Sequence, residues 1–180
     1  GIGEEKMIIS VGQFIYRKGF DVLLNASIDI DKSVGIYIIG SDPTKEYLQL
    51  RENLNLSNVH FIGFKSKIEL RQYYLAADLF VLPTREDIWG LVINEALAYG
   101  LPIITTNRCI AGMELVDESN GCIIPTGDAK ALSEAINRVL CNEANIEKMR
   151  VSSLEKAKNY TIERMARVHI QIFNAIMKEK

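Results

Sequence analysis

Two cations stand together at Arg17 and Lys18, directly before Gly19 and a helical pattern that begins near Phe20. A helix N-terminus favours negative charge, so a basic pair there runs against the macrodipole. An anion relieves the conflict, because one phosphate can meet both side chains and the first helix amides together. Taken alone, such a pair reads as a solvated basic turn, and only its place in the fold turns it into an anion site. The complementary chemistry lies further on, in Glu86, Asp87 and Glu95. Glu86 and Asp87 precede a helix, where acids commonly serve as dipole partners. Glu95 is different, because it interrupts an apolar helix between Leu91-Val92-Ile93 and Ala96-Leu97. A carboxylate there must reach solvent or find hydroxyl or amide partners, and its two acceptor oxygens suit vicinal hydroxyls. Cations on one lip and carboxylates on the other suit a ligand that is anionic in the middle and hydroxyl-rich at both ends. A nucleotide sugar has that form.

The elements that position these residues follow from hydrophobic patterning. Short β-branched runs at 7–12, 34–40, 59–64, 78–84, 102–106 and 121–125 alternate with helical periods. Most are continuous apolar runs, as parallel strands covered on both faces require. Six such alternations predict a doubly wound, Rossmann-like α/β sheet of about six parallel strands with helices on both faces. Phe20, Leu23, Leu24 and Ile28 share one helical face, as do Leu132, Ala135, Ile136, Val139 and Leu140. Asp42 reads as an N-cap with Pro43 at the first helical position. With strand order 3-2-1-4-5-6, the order reverses between the first and fourth strands, and ligands bind there, outside the carboxyl ends. The two loops described above follow those two strands.

After Cys141 the pattern is helical only, over 146–160 and from Thr161, which can cap alone, to Lys180. The chain therefore reads as one domain, 1–180, with 142–180 a helical extension. The apolar positions Ile162, Ala166, Phe173, Ile176 and Met177 can pack on a further domain or on this domain's own core, and the own core is the expected surface. His169 on the same stripe, and His60 beside the third strand, read as packed or rim histidines.

Composition narrows the classes. An apolar fraction of 48% and a charged fraction of 24% exclude disorder, collagen-like repeats and coiled coil as global readings. A net charge of −2 leaves no basic stripe for nucleic acid or an anionic membrane, so a phosphate ligand depends on local cations. Cys109, Cys122 and Cys141 are odd in number and widely spaced, as for reduced thiols in the cytoplasm rather than a zinc site. No run reaches the length of a membrane span, and no signal peptide is visible. The opening Gly1-Ile2-Gly3 lacks a Met and predicts a piece of a longer chain.

Three stretches, VGQFIYRKGFDVLL, FVLPTREDIWGLVINEALAYGLPIITT and GMELVDESNGCIIPTGDAKALSEAI, occur in this order and cover nearly the whole chain. Together they resemble the C-terminal donor-binding half of retaining GT-B glycosyltransferases, family 4. That pattern has a strand ending in VGR, a KG, two glutamates with seven residues between them around a GFG, and a helix ending A-x-G-x-P.

The resemblance implies a glycosyltransferase domain that binds a sugar nucleotide, UDP- or GDP-linked, and transfers the sugar with retention and without a metal or other cofactor. Lys18 would contact the diphosphate, Glu95 the ribose hydroxyls, and Asp87 the transferred sugar. The amides of Trp89, Gly90 and Leu91 would face the sugar or distal phosphate, Gly12 and Gln13 would line the donor, and Phe64 the base. Gly112 and Glu114 match a smaller motif. Three positions depart from the pattern. Gln13 stands where Arg is usual, and Arg17 is the available replacement. Asp87 replaces Glu beside Glu86, so either carboxylate can meet the sugar. Ile88 stands where Gly is usual, a costly exchange if that backbone needs positive φ.

The same resemblance implies an absent N-terminal acceptor domain and no transfer by this piece alone. It further implies a cytoplasmic enzyme, with any attachment to the inner membrane face made through the absent domain. A non-catalytic nucleotide-sugar-binding regulatory module, or a nucleotide-sugar epimerase of the same architecture, would share the fold.

Overall fold

The structure, a computed structural model, describes residues 5–178. The Gly1-Ile2-Gly3 opening and the last two positions of the helix expected over 161–180 lie outside the described residues. Six strands form one sheet: β1 (Lys6–Gly12), β2 (Val34–Gly40), β3 (Val59–Ile62), β4 (Leu79–Leu82), β5 (Ile103–Thr106) and β6 (Gly121–Ile124). All pairings are parallel, in the order β3-β2-β1-β4-β5-β6. Both the expected fold and the reversal between β1 and β4 are therefore present.

The helices are α1 (Phe20–Ala26), α2 (Lys45–Asn53), α3 (Lys67–Ala76), α4 (Leu91–Ala98), α5 (Ile110–Leu115), α6 (Ala129–Leu140), α7 (Glu143–Ala157) and α8 (Ile162–Lys178). Successive strand residues enter opposite cores, as a two-residue repeat dictates. Ile8 and Val81 join Phe20, Leu24 and Ile136 on one face, and Ile9 and Phe80 join Tyr74, Ile93 and Leu97 on the other. All of β4 is sealed from solvent. Burying each such side chain contributes about 1.5–3 kcal/mol, and two cores hold the central strands, whose ends carry the loops of interest.

Local expectations shift in two places. Helix α1 stops at Ala26, and a 3₁₀ turn over Ser27–Asp29 follows. Its tighter winding rotates Ile28 off the buried face, leaving it 51% exposed. Asp42 does not cap α2, which begins at Lys45 with an extended Thr44 as its N-cap. Thr44 is itself a capping residue type, and its hydroxyl engages the Glu46 carboxylate, holding that carboxyl below its usual range.

The helical tail divides sharply. Helix α7 is bonded to the chain just before three strands: Arg150 donates to Ala77 O (2.8 Å), Ser153 to Leu101 O (2.7 Å) and Lys156 to Asn120 Oδ1 (2.8 Å). Helix α8 is not packed in this way. Thr161 caps it, accepting from the Arg164 amide at 3.2 Å, yet Ile162, Ala166, Phe173, Ile176 and Met177 are all exposed. The expectation that they join this domain's core is therefore wrong, because α1 to α7 already cover the sheet. His169 is likewise exposed rather than packed, its Nδ1 lying 2.8 Å from Met165 O. His60 is half-buried and stacks on Tyr37 at 4.6 Å. Among the described residues no helix is long and apolar enough to cross a membrane.

Candidate functional site

The loops after β1 and β4 meet because their strands are neighbours in the sheet. After β1 the chain makes a 3₁₀ turn (Tyr16–Lys18) and then reverses at Gly19, whose φ is +70°. A Cβ on Gly19 would sit 2.0 Å from Pro83 O, so only glycine lets this turn press on the β4 loop. Main-chain bonds lock the approach. Arg85 N–H donates to Arg17 O at 2.7 Å, and the Thr84 hydroxyl lies 2.9 Å from Arg17 O and 3.0 Å from Glu86 O.

A second fastening comes from Arg85. Its guanidinium grips Asp21 with two bonds (2.8 and 2.6 Å), donates to Tyr16 O (2.8 Å) and lies over the Tyr16 ring at 4.0 Å. The Asp21 carboxylate, chiefly, raises the guanidinium's already high pKa. Bidentate geometry makes this a strong tie between the two loops. Arg85 stands beside the acidic pair in the sequence, but nothing in its spacing names Asp21 as its partner.

Within this frame the cations and acids meet. Lys18 Nζ lies 2.6 Å from Asp87 Oδ2, and Arg17 lies 3.6 Å from Oδ1 while donating to Glu86 O at 3.0 Å. Lys18 and Asp87 are both largely buried. The predicted lips are thus joined rather than separate, since adjacent strands bring opposite charges into contact. The cluster sets two cations against one buried carboxylate, and its surplus charge is positive. An ammonium has three donors, so Lys18 can hold Asp87 and still offer protons to an anion. The stem of Lys18 lies along Gly12, with Cδ and Cε 3.4 Å from where a Cβ would stand.

Of the two adjacent acids, Asp87 turns inward. Its amide donates to Arg108 O (3.0 Å) and its carbonyl accepts from Ile110 N–H (3.2 Å), a short bridge to the segment after β5. Glu86 supplies its carbonyl to Arg17, and its side chain is exposed. Glu86, Asp87, Ile88 and Arg108 line an open cavity of about 460 Å³. Ile88 is exposed and is not among the positive-φ residues; the left-handed position in this loop belongs to Gly90, at φ +87°.

Gly90 is the N-cap of α4, whose first amides, from Leu91 on, lack intrahelical acceptors by geometry. Trp89 is half-buried, its indole donating to Asn94 Oδ1 at 2.8 Å and its carbonyl accepting from Ala111 N–H at 2.9 Å. On α4 Glu95 resolves the sequence-level dilemma in both ways. It is exposed, and it accepts from the Tyr74 hydroxyl at 3.0 Å. Gln13 and Phe64 are exposed, Phe64 at 85%, and neither enters the Lys18 cluster. Phe64 follows β3, two strands from β1, which puts it about 10 Å along the sheet edge by strand spacing. Gly112 packs its backbone on Thr105, and Glu114 is exposed.

Comparison with known proteins gives consistent matches. A family model described as glycosyl transferases group 1 matches residues 1–162. Lipopolysaccharide glucosyltransferase WaaG of Escherichia coli (strain K12) is 29% identical over 166 residues, spanning 89% of this chain and 43% of its own. Sucrose-phosphate synthase of Thermosynechococcus elongatus superposes with a TM-score of 0.87 at 28% identity, over 99% of this chain and 47% of its own. Anabaena HepE, solved with UDP and glucose, shares the fold with a TM-score of 0.85 at 22% identity, over 98% and 49%. The chain spans less than half the length of each of these relatives.

Proposed function

The chain belongs to the glycosyl transferases group 1 family, and from that premise we propose that it binds a nucleotide-diphosphate sugar as the donor half of a retaining glycosyltransferase. The observation that carries this reading is the Lys18–Asp87 cluster at the reversal between β1 and β4. Lys18, Arg17 and the loop amides meet the diphosphate. Their charge, fixed before the reaction, stabilises the negative charge that grows on the departing nucleotide. Asp87 accepts from hydroxyls of the transferred sugar, Glu95 from those of the ribose, and exposed Phe64 offers a stacking face to the base. HepE carries UDP and glucose on the same fold, which supports uridine as the first base to test. The reading invokes no metal or other cofactor.

In the whole protein an upstream domain brings the acceptor, and the apolar stripe of α8 packs against it. Relatives more than twice as long leave room for such a domain. This chain alone then binds donor without appreciable transfer. A cytoplasmic setting suits its three unpaired cysteines.

A thermal-shift panel of UDP, GDP and their sugar conjugates tests the proposal. A ligand at 100 times its dissociation constant adds about 2.7 kcal/mol of stability, a shift of several degrees for a domain of this size. Unchanged melting with every nucleoside diphosphate at millimolar concentration overturns it.

A further inference from the structure

Tyr74 is 2% exposed, on α3, with its ring stacked on Tyr99 (centroids 5.0 Å apart, planes within 7°) and on Phe80. Its hydroxyl crosses to the neighbouring helix and donates to Glu95 Oε2 at 3.0 Å. Burial first, and the Glu95 charge second, push the phenol's ionisation far upward, so the proton stays on the tyrosine. Glu95 itself is exposed. An exposed carboxylate on three rotatable bonds ordinarily samples several rotamers. Here a buried donor, held by two aromatic contacts, selects one of them. A buried tyrosine hydroxyl needs a partner, and this one uses the only acid that interrupts the apolar run of α4.

Resting on the donor-binding reading above, we propose that Tyr74 is the positioning residue of the site: it fixes the Glu95 carboxylate through Oε2 so that Oε1 is presented to the ribose hydroxyls. Nothing in Tyr74 touches the ligand. Its effect is confined to hydroxyl recognition, since orientation set in advance spares the cost of ordering Glu95 on binding.

The test is calorimetry on this chain with UDP and 2′,3′-dideoxy-UDP, and with the guanosine pair in parallel. Wild type is expected to favour the intact ribose about tenfold or more. Tyr74→Phe keeps both ring stacks and loses only the hydroxyl. It should weaken UDP about fivefold while changing the dideoxy compound less than about twofold. Glu95→Gln should abolish the preference, and Tyr74→Phe added to it should cost nothing more, as expected of two residues acting through one bond. Equal weakening of both ligands by Tyr74→Phe makes its role structural and overturns the proposal, as does no weakening of either. A wild type that binds both ligands alike overturns the ribose role of Glu95, and one that binds no nucleotide overturns the donor reading. The proposal falls with either.

Discussion

The ammonium of Lys18 lies 2.6 Å from Oδ2 of Asp87, a charged contact among the bonds that join the turn after β1 to the loop after β4. The same two residues carry the charge by which we propose the donor is held. Removing Lys18 takes away the nearer of the two cations proposed to meet the anion and leaves Arg17, at 3.6 Å, as the cation beside the Asp87 carboxylate. A hydrogen bond to a charged group contributes about 1.5–3 kcal/mol. Lys18→Ala is therefore expected to weaken nucleoside-diphosphate affinity by roughly one to two orders of magnitude. Calorimetry on the folded variant checks this, and unchanged affinity removes Lys18 from the site.

Gly19 sets how closely the two loops approach. Any side chain there combines left-handed backbone with a Cβ 2.0 Å from Pro83 O, a main-chain atom that cannot swing aside. Gly127 has a similar φ, +80°, but nothing lies within 4 Å of its missing Cβ. Gly127→Ala should cost about 1 kcal/mol, the conformational term alone. Gly19→Ala adds the backbone clash and should cost at least about 2 kcal/mol more. Urea midpoints of the two variants separate the terms; equal losses would mean the approach of the loops is not held by this contact.

Arg85 ties the same loops through Asp21 and Tyr16. Arg85→Lys keeps the charge but gives up the two-pronged grip and the flat face over Tyr16. Because both partners are partly buried, the exchange should cost about 1–2 kcal/mol. A cycle with Asp21→Asn should return a coupling of about 1 kcal/mol or more. A coupling near zero would mean the pair contributes no more than an ordinary surface ion pair.

What the sequence made legible was whatever depends on a short repeat. Continuous β-branched runs such as Val34–Gly40 declared buried parallel strands, and their alternation with helices declared a doubly wound sheet, one order of which makes β1 and β4 neighbours, as they are here. Glu95 stood out because a charge interrupted an apolar helix. Contacts between elements left no such mark. Tyr73 and Tyr74 are adjacent aromatics, and only packing decides that Tyr74 is the one whose hydroxyl reaches Glu95. Likewise nothing in the sequence separates Glu86 from Asp87 in orientation, and it is the bridge to the segment after β5 that turns Asp87 inward.

Acid should loosen the far end of the sheet through Asp117. Its carboxylate accepts from Lys156 Nζ at 2.7 Å and from the Ser119 hydroxyl and amide at 2.6 and 2.9 Å. Lys156 foremost, then Ser119, brings its pKa down to about 2, against about 3.9 in an unfolded chain. The folded value is the lower one, so this contribution is full above about pH 4 and disappears as pH falls through about 2. Asp117 is well exposed, and the effect is accordingly modest. Urea unfolding of wild type and Asp117→Asn across pH should show a difference that is constant near neutrality, shrinks below about pH 4 and vanishes near pH 2. A gap that widens on acidification contradicts the assignment.

Helix α8 tests how far periodicity can be trusted. The pattern that correctly put Leu132, Ile136 and Val139 inside also marked an apolar stripe on α8, yet Ile162, Phe173 and Met177 are 77%, 64% and 72% exposed. A repeat says which side chains share a face, not which surface covers them. Since α1 to α7 already close both faces of the sheet and α7 is separately bonded to its edge, removing α8 strips no core. Truncation after Thr161 should therefore shift the melting temperature by no more than about 2 °C, while reducing self-association, because contiguous exposed apolar surface promotes it. Melting followed by circular dichroism, with light scattering beside it, checks both outcomes. A large loss of stability on truncation would mean that α8 packs on this domain after all.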